Sequence, residues 1–196
     1  MGNMVQSNSI GAAFVEAFQV FHVELSPVIV GIVVAVIAAV IFLGGTKSLA
    51  TVVEKIVPIM AGVYIVGSLV LICMNITALP AAFLSIIEGA FAPEAVLGAG
   101  AGITVREAIR YGVARGLFSN EAGMGSTPHA DARAKAESPH HQGLCAMVSV
   151  FIDTFIVLNL TVFSVLTTGV MSTGKDGTAL TQAAFMKGFG SAGIIF

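Results

Sequence analysis

Charge is what this chain most conspicuously lacks: only 10% of its 196 residues are Asp, Glu, Lys or Arg, against about 25% in a soluble domain. A water-soluble fold of this size could bury a large apolar core, but these charges would not cover its surface. The formal net charge is −2, and no basic block stands out, which argues against a nucleic-acid partner. The two cysteines, Cys73 and Cys145, both lie in apolar stretches, so no disulfide framework organises the chain. Met1 to Gln6 has neither a basic region nor a continuous apolar core, so it does not read as a signal peptide. Tryptophan is absent and no tandem repeat is visible. What the chain does have is apolar and small. Hydrophobic residues make up 56%, there are 22 glycines, and the mean hydropathy is +0.95. Small residues suit the close helix–helix approach that drives association in lipid.

Three uncharged runs predict an all-α polytopic membrane protein. Leu25 to Thr46 contains no charge and has the length of about 20 residues needed to cross a hydrocarbon core. Its β-branched content would suit a strand in water. In lipid a strand needs a closed barrel with an alternating polar face, which is missing, so the run is read as helix. Ile56 to Ile87 is too long for one crossing. It predicts a helix from about Pro58 to Ile76, with Pro58 near the first turn, where its missing N–H does little harm. Pro80 then separates a short apolar helix, Ala81 to Phe91, expected at the interface. Gly143 to Thr173 carries one charge, Asp153, about a third of the way in. Lys175 to Phe196 reads as a Gly-rich loop leading into another helix.

The basic residues orient these runs. Glu16 and Glu24 precede the first run, while Lys47 and Lys55 follow it. Glu88 and Glu94 follow the second, and Arg133 and Lys135 precede the last. The alternation out, in, out, in requires a further crossing between Glu94 and Arg133. Arg106 and Arg110 near its outer end sit badly in such a crossing.

That crossing contains Gly116-Leu-Phe-Ser-Asn-Glu-Ala-Gly-Met-Gly-Ser-Thr-Pro128, a poor continuous helix with three Gly, a Ser-Asn-Glu triplet and a closing Pro. Irregular backbone at membrane depth is tolerated where it is buried in protein or lines a cavity. Broken helices build the midplane sites of many secondary transporters. Ser119 and Asn120 are expected to cap the second half-helix, leaving N–H groups for a small anionic group. A cytoplasmic loop between two ordinary helices fits the composition almost as well. Elsewhere, Gln6 sits in a polar patch at a span's end, where caps outnumber ligands. Asp153 is either a proton or cation site or a packing partner of a Ser, Thr or Asn such as Asn159. Glu121 either faces a water-filled path or pairs with Arg115. His129, His140 and His141 lie near Asp131, but no helix sets them at ligand spacing, so a hydrated loop is the default and no metal site is assigned.

The Gly116–Pro128 element closely resembles the signature of the alanine or glycine:cation symporter family, the sodium:alanine symporters. Gly2-Asn-Met-Val-Gln-Ser-Asn-Ser9, Leu43-Gly-Gly-Thr-Lys-Ser48 and Val150-Phe-Ile-Asp-Thr154 resemble further family landmarks, in the expected order. The resemblance covers essentially the whole chain. It implies the fold of the amino acid–polyamine–organocation superfamily, two five-helix repeats in inverted topology. On that alignment the chain is a partial five-plus-five inverted-repeat fold, from the end of helix 3 to the start of helix 8. Helix 4 would span residues 28–45, helix 5 residues 54–76, the broken helix 6 residues 97–135 with its interruption near 116–128, and helix 7 residues 143–170. The alternation read from Lys and Arg agrees with this numbering.

The resemblance also implies sodium-coupled symport of a small neutral amino acid, alanine or glycine, by a multi-pass protein of the cell membrane. No organic cofactor is implied; sodium is the coupling ion, its principal site lying largely in helices outside this chain. Gln6 would contact the amino acid, Phe118 would cover it as an apolar wall, and Ala122 would limit its side chain. Ser119 and Asn120 belong to the same break and would shape it. Helix 1 and most of helix 8 are not in the chain on this alignment, so it is expected not to transport by itself. Alanine against glycine or the D-enantiomer, and sodium against proton, stay open. His129, Asp131 and Arg133 depart from an Ala-rich stretch in relatives. An intramembrane enzyme would need a nucleophile–base pair or a His/Asp set at depth, and no His lies inside a span. A channel would favour repeated rings or a filter sequence.

Overall fold

A computed structural model of the chain describes residues 2–20, 26–91 and 101–195, and every regular element among them is helical. Helix α1 is Gly2–Val20 and α2 is Pro27–Leu43. The start of α2 is written in its sequence: Pro27 occupies the first turn, and the Ser26 hydroxyl accepts the Val28 N–H at 3.4 Å. Its Val/Ile-rich body is helical despite its β propensity.

Gly44 and Gly45 turn the chain directly into α3, Gly45–Met74. Gly45 has φ +74°, and a Cβ on Gly44 would overlap the Ser48 side chain. The helix expected to begin near Pro58 therefore begins thirteen residues earlier in chain order, at Gly45, with Pro58 in its interior. Nothing between Lys47 and Val57 opposes a helix, and the lost hydrogen bond and carbonyl clash at an interior proline are tolerated in a membrane helix. Asn75 closes α3: its side-chain amide donates to the Leu71 carbonyl at 3.0 Å. A 3-10 turn, Ile76–Ala78, leads into α4, Leu79–Phe91, with Pro80 in its first turn. Then follow α5, Ala101–Ser119, and the short α6, Ser126–Asp131. The long α7 runs Pro139–Thr168. A 3-10 turn, Val170–Thr173, precedes α8, Gly177–Phe189, which ends in the 3-10 turn Gly190–Ile195.

The chain divides into two compact units, Met1–Ala78 with Phe163–Phe196, and Leu79–Val162. In the first, α8 packs on α1 and α3 around the fully buried Leu71 and Phe185. Tyr64 and Phe185 pack with their rings tilted by 49° and their centroids 5.6 Å apart. Gly188 permits the close approach of α8 to α3, since a Cβ there would overlap Cδ1 of Leu71. Polar ties supplement this core: Gln182 Nε2 donates to the Ala13 carbonyl at 3.2 Å, Lys187 Nζ to the Thr168 carbonyl at 2.5 Å, and Lys175 pairs with Glu16. The second unit contains the interrupted stretch and most of α7.

Two helices, Lys47–Met74 and Pro139–Thr168, are long and apolar enough to cross a membrane, yet only 17% and 0% of their most apolar stretches are buried. A core helix of a soluble protein would be mostly covered, and a signal sequence would lie near the N-terminus. Neither description fits. Such faces need lipid or more protein against them.

Candidate functional site

The second unit is organised around an interruption between α5 and α6. Helix α5 ends in a Schellman cap: the Ala122 N–H donates to the Leu117 carbonyl at 2.9 Å, and the Glu121 N–H to the Phe118 carbonyl at 3.2 Å. That motif requires a left-handed residue, and Glu121 occupies it with φ +52°. Gly123 and Gly125 also take left-handed angles, +77° and +81°, which glycine adopts freely. Glu121 does not; the left-handed region costs an L-residue about 1–2 kcal/mol. Its carboxylate offsets that strain, because Oε2 accepts the hydroxyls of Ser126 at 2.7 Å and Thr127 at 2.8 Å. These belong to the first turn of α6, so one side chain ties the two ends of the interruption together. The partners of Glu121 are thus two hydroxyls and not Arg115.

This geometry corrects the expectation that Ser119 and Asn120 cap the second half-helix. Gly125 holds the cap position of α6, and Ser119 is the last residue of α5. The left-handed turns at Glu121 and Gly123 consume the intervening residues and delay the second helix. Beyond α6, Asp131 Oδ1 accepts from Gln142 Nε2 at 2.9 Å, and His129 Nδ1 lies 2.6 Å from the Gly125 carbonyl. Among the described residues, no three His, Cys, Asp or Glu side chains come together at metal-binding distance.

Helix α7 supplies the partners of the break. It starts on Ser138, whose hydroxyl accepts the His141 N–H at 3.2 Å, with Pro139 in the first turn. Midway the helix widens into a π-turn, Ile152–Val157, in which the Leu158 N–H reaches the Asp153 carbonyl five residues back. Asn159 supports the widened turn: its side-chain amide donates to the carbonyls of Thr154 at 3.2 Å and Phe155 at 3.0 Å. Within the turn, Asp153 Oδ2 accepts the Ser119 hydroxyl at 2.6 Å, and the Thr154 hydroxyl donates to Asn120 Oδ1 at 2.9 Å. Two consecutive residues of α7 therefore hold two consecutive residues of the break. Asp153 takes a packing partner, as one sequence reading allowed, but that partner is Ser119; Asn159 serves the backbone instead.

The residues assigned to substrate from the sequence fall in three places. Ser119 and Asn120, half-buried, line a cavity of about 280 Å³ together with Glu121, Asp131, Gln142 and Asp153. Phe118, 40% exposed, and Ala122, exposed, do not line it. Gln6 is exposed on α1 in the first unit. Sequence reasoning missed Thr154 as a partner of the break, although it stands in the Val150–Thr154 landmark; nothing in the residue pattern signals the π-turn.

An interrupted helix whose polar turn is held by a neighbouring helix, in a chain with uncovered apolar helices, is a build that membrane transporters use. The chain belongs to the sodium:alanine symporter family, whose profile it matches over residues 1–196. It is thus a member of a membrane-transporter family and not of an enzyme family. It is 43% identical over 182 residues to the amino-acid carrier protein AlsT of Bacillus subtilis, covering 93% of this chain and 37% of that one. With the sodium/alanine symporter AgcS of Methanococcus maripaludis it shares 40% over 189 residues, 94% of this chain and 40% of the relative. With the probable sodium/glutamine symporter GlnT of Bacillus subtilis it shares 38% over 190 residues, 96% and 38% respectively. The chain therefore spans about 40% of the length of the curated relatives it matches.

Proposed function

We propose that a transporter carrying these residues couples uptake of a small neutral amino acid, alanine or glycine, to sodium flow across the cell membrane. The interruption at Asn120–Gly125 would form one wall of its substrate site. The observation that carries this reading is the break itself: left-handed angles at Glu121, Gly123 and Gly125 that part α5 from α6, in a chain of a symporter family. Among the described residues, the N–H groups of Gly123 and Gly125 take no backbone acceptor. They are donors of the kind the carboxylate of a zwitterion accepts. Phe118 and Ala122 flank the turn with side chains open to a ligand, the first as an apolar cover and the second as a limit on side-chain length. Ser119 and Asn120 shape the turn. Gln6 is assigned to the same amino acid on the family resemblance alone. Sodium is the coupling ion, and the proposed location is the plasma membrane in the inverted-repeat fold of the family. A relative named for glutamine keeps longer neutral amino acids within the substrate class.

Thiol protection tests this. In the full-length transporter with Cys73 and Cys145 replaced, both being exposed, Phe118→Cys should react with a polar thiol reagent. Alanine with sodium should slow that reaction, while an acidic amino acid should not. Labelling indifferent to every neutral amino acid would remove Phe118 and the break from the substrate site.

A further inference from the structure

The π-turn on α7 carries two consecutive side chains, Asp153 and Thr154, that hydrogen-bond to Ser119 and Asn120. In an α-helix neighbouring side chains diverge by about 100°. The i→i+5 bond from Leu158 to Asp153 puts more residues in the turn and so narrows the angle between successive side chains. The Ser119–Asp153 separation of 2.6 Å is that of a hydroxyl bonded to a carboxylate, the stronger class of hydrogen bond. Asn159 occupies the carbonyls that the widened turn disturbs, so the distortion is built in by a specific side chain.

We infer that Asp153 and Thr154 are positioning residues: the π-turn aligns them on Ser119 and Asn120, fixing where α5 ends and so where Phe118 and Ala122 stand. Neither needs to touch substrate or cation. Asp153 acts as a hydrogen-bond acceptor for the Ser119 hydroxyl, and Thr154 as a donor to the Asn120 amide. The inference rests on the break being part of the substrate site, as proposed above, for its transport consequences only. The clamp itself is a property of the second unit.

The test uses the full-length transporter in proteoliposomes, with Asp153→Ala, Asp153→Asn, Ser119→Ala and the Ser119→Ala/Asp153→Ala pair. One lost hydrogen bond to a charged acceptor corresponds to about tenfold in an equilibrium. Asp153→Ala should therefore raise the KM for alanine about tenfold and leave the KM for sodium within roughly twofold. Asp153→Asn, which still offers an amide oxygen to Ser119, should fall closer to wild type. The double variant should be no worse than the more damaged single one, because both remove the same contact. Asn159→Leu, which never touches the break, should reproduce part of the Asp153→Ala effect by letting the turn relax. If Asp153→Asn is as impaired as Asp153→Ala and the sodium KM moves with it, Asp153 handles the cation and the positioning role is wrong. Effects that multiply in the double variant would equally overturn it, as would lower yield with both KM values unchanged. Amide exchange over residues 117–124 supplies a readout independent of transport. Asp153→Ala should speed it about tenfold and Asp153→Asn less. Wild-type protein that takes up no neutral amino acid would end the functional proposal, while the exchange result would still decide the clamp.

Discussion

Replacing Glu121 should separate the two forces that meet in the break. In the wild type a non-glycine residue sits at φ +52°, a conformation costing about 1–2 kcal/mol, while its carboxylate accepts the hydroxyls of Ser126 and Thr127 at 2.7 and 2.8 Å. Each bond contributes about 0.5–1.5 kcal/mol. The lower half of that range applies, because the group is partly exposed and solvent screens its charge. Glu121→Ala keeps the strained angle and loses both bonds, a net loss of about 1–2 kcal/mol. Glu121→Gly loses the same bonds but removes the strain, recovering about 1 kcal/mol. The two variants should thus differ by roughly fivefold in the constant for local opening, glycine being the better tolerated. Hydrogen exchange across residues 120–132 of the full-length protein in nanodiscs reads this directly. The expected order of exchange rates is Glu121→Ala fastest, then Glu121→Gly, then wild type. The Ser126→Ala/Thr127→Val pair should match Glu121→Ala. Exchange in Glu121→Gly as fast as in Glu121→Ala would refute the strain argument. Wild-type rates in Glu121→Ala would refute the role of the carboxylate.

Three further outcomes are expected. Gly188→Ala should lower the thermal stability of the first unit by about 1–3 kcal/mol, because its methyl meets the buried Leu71; Gly11→Ala, which meets nothing within 4 Å, is the control. Gly125→Ala should destabilise the protein by about 1–2 kcal/mol through its left-handed angle, whereas Gly116→Ala, inside α5 with open space around it, should stabilise by about 0.5–1 kcal/mol; thermal scanning in detergent compares the pair. Ala122→Leu should weaken alanine uptake more than glycine uptake, since a longer side chain at the turn leaves less room for the substrate's own, and competition assays with the two amino acids would show it.

Much of the helical plan was legible in the residues. Uncharged runs long enough for a bilayer, Pro27 and Pro80 in first turns, and Ser138 before Pro139 all signal helices or their starts through local chemistry. The position of the interruption was legible only to within Gly116–Pro128, because Gly and Pro composition marks irregularity without saying which residue turns. Pro58 misled for a related reason. Its local preference is for a first turn, but a helix already under way from Gly45 carries on past the local disruption a proline brings.

What the sequence determined by itself is the apolar, charge-poor character of the chain and the family signature around Gly116–Pro128, since both depend on residue identity alone. What only the tertiary structure decided is where the helix breaks and what holds it. Glutamate has no intrinsic preference for the left-handed region, and it turns there because Ser126 and Thr127 take its carboxylate. Ser119 and Asn120 do not cap the helix that follows, because Asp153 and Thr154, thirty-four residues further along, claim their side chains. Those contacts depend on two helices meeting and on a π-turn that aligns consecutive residues, and neither has a local signal in the chain.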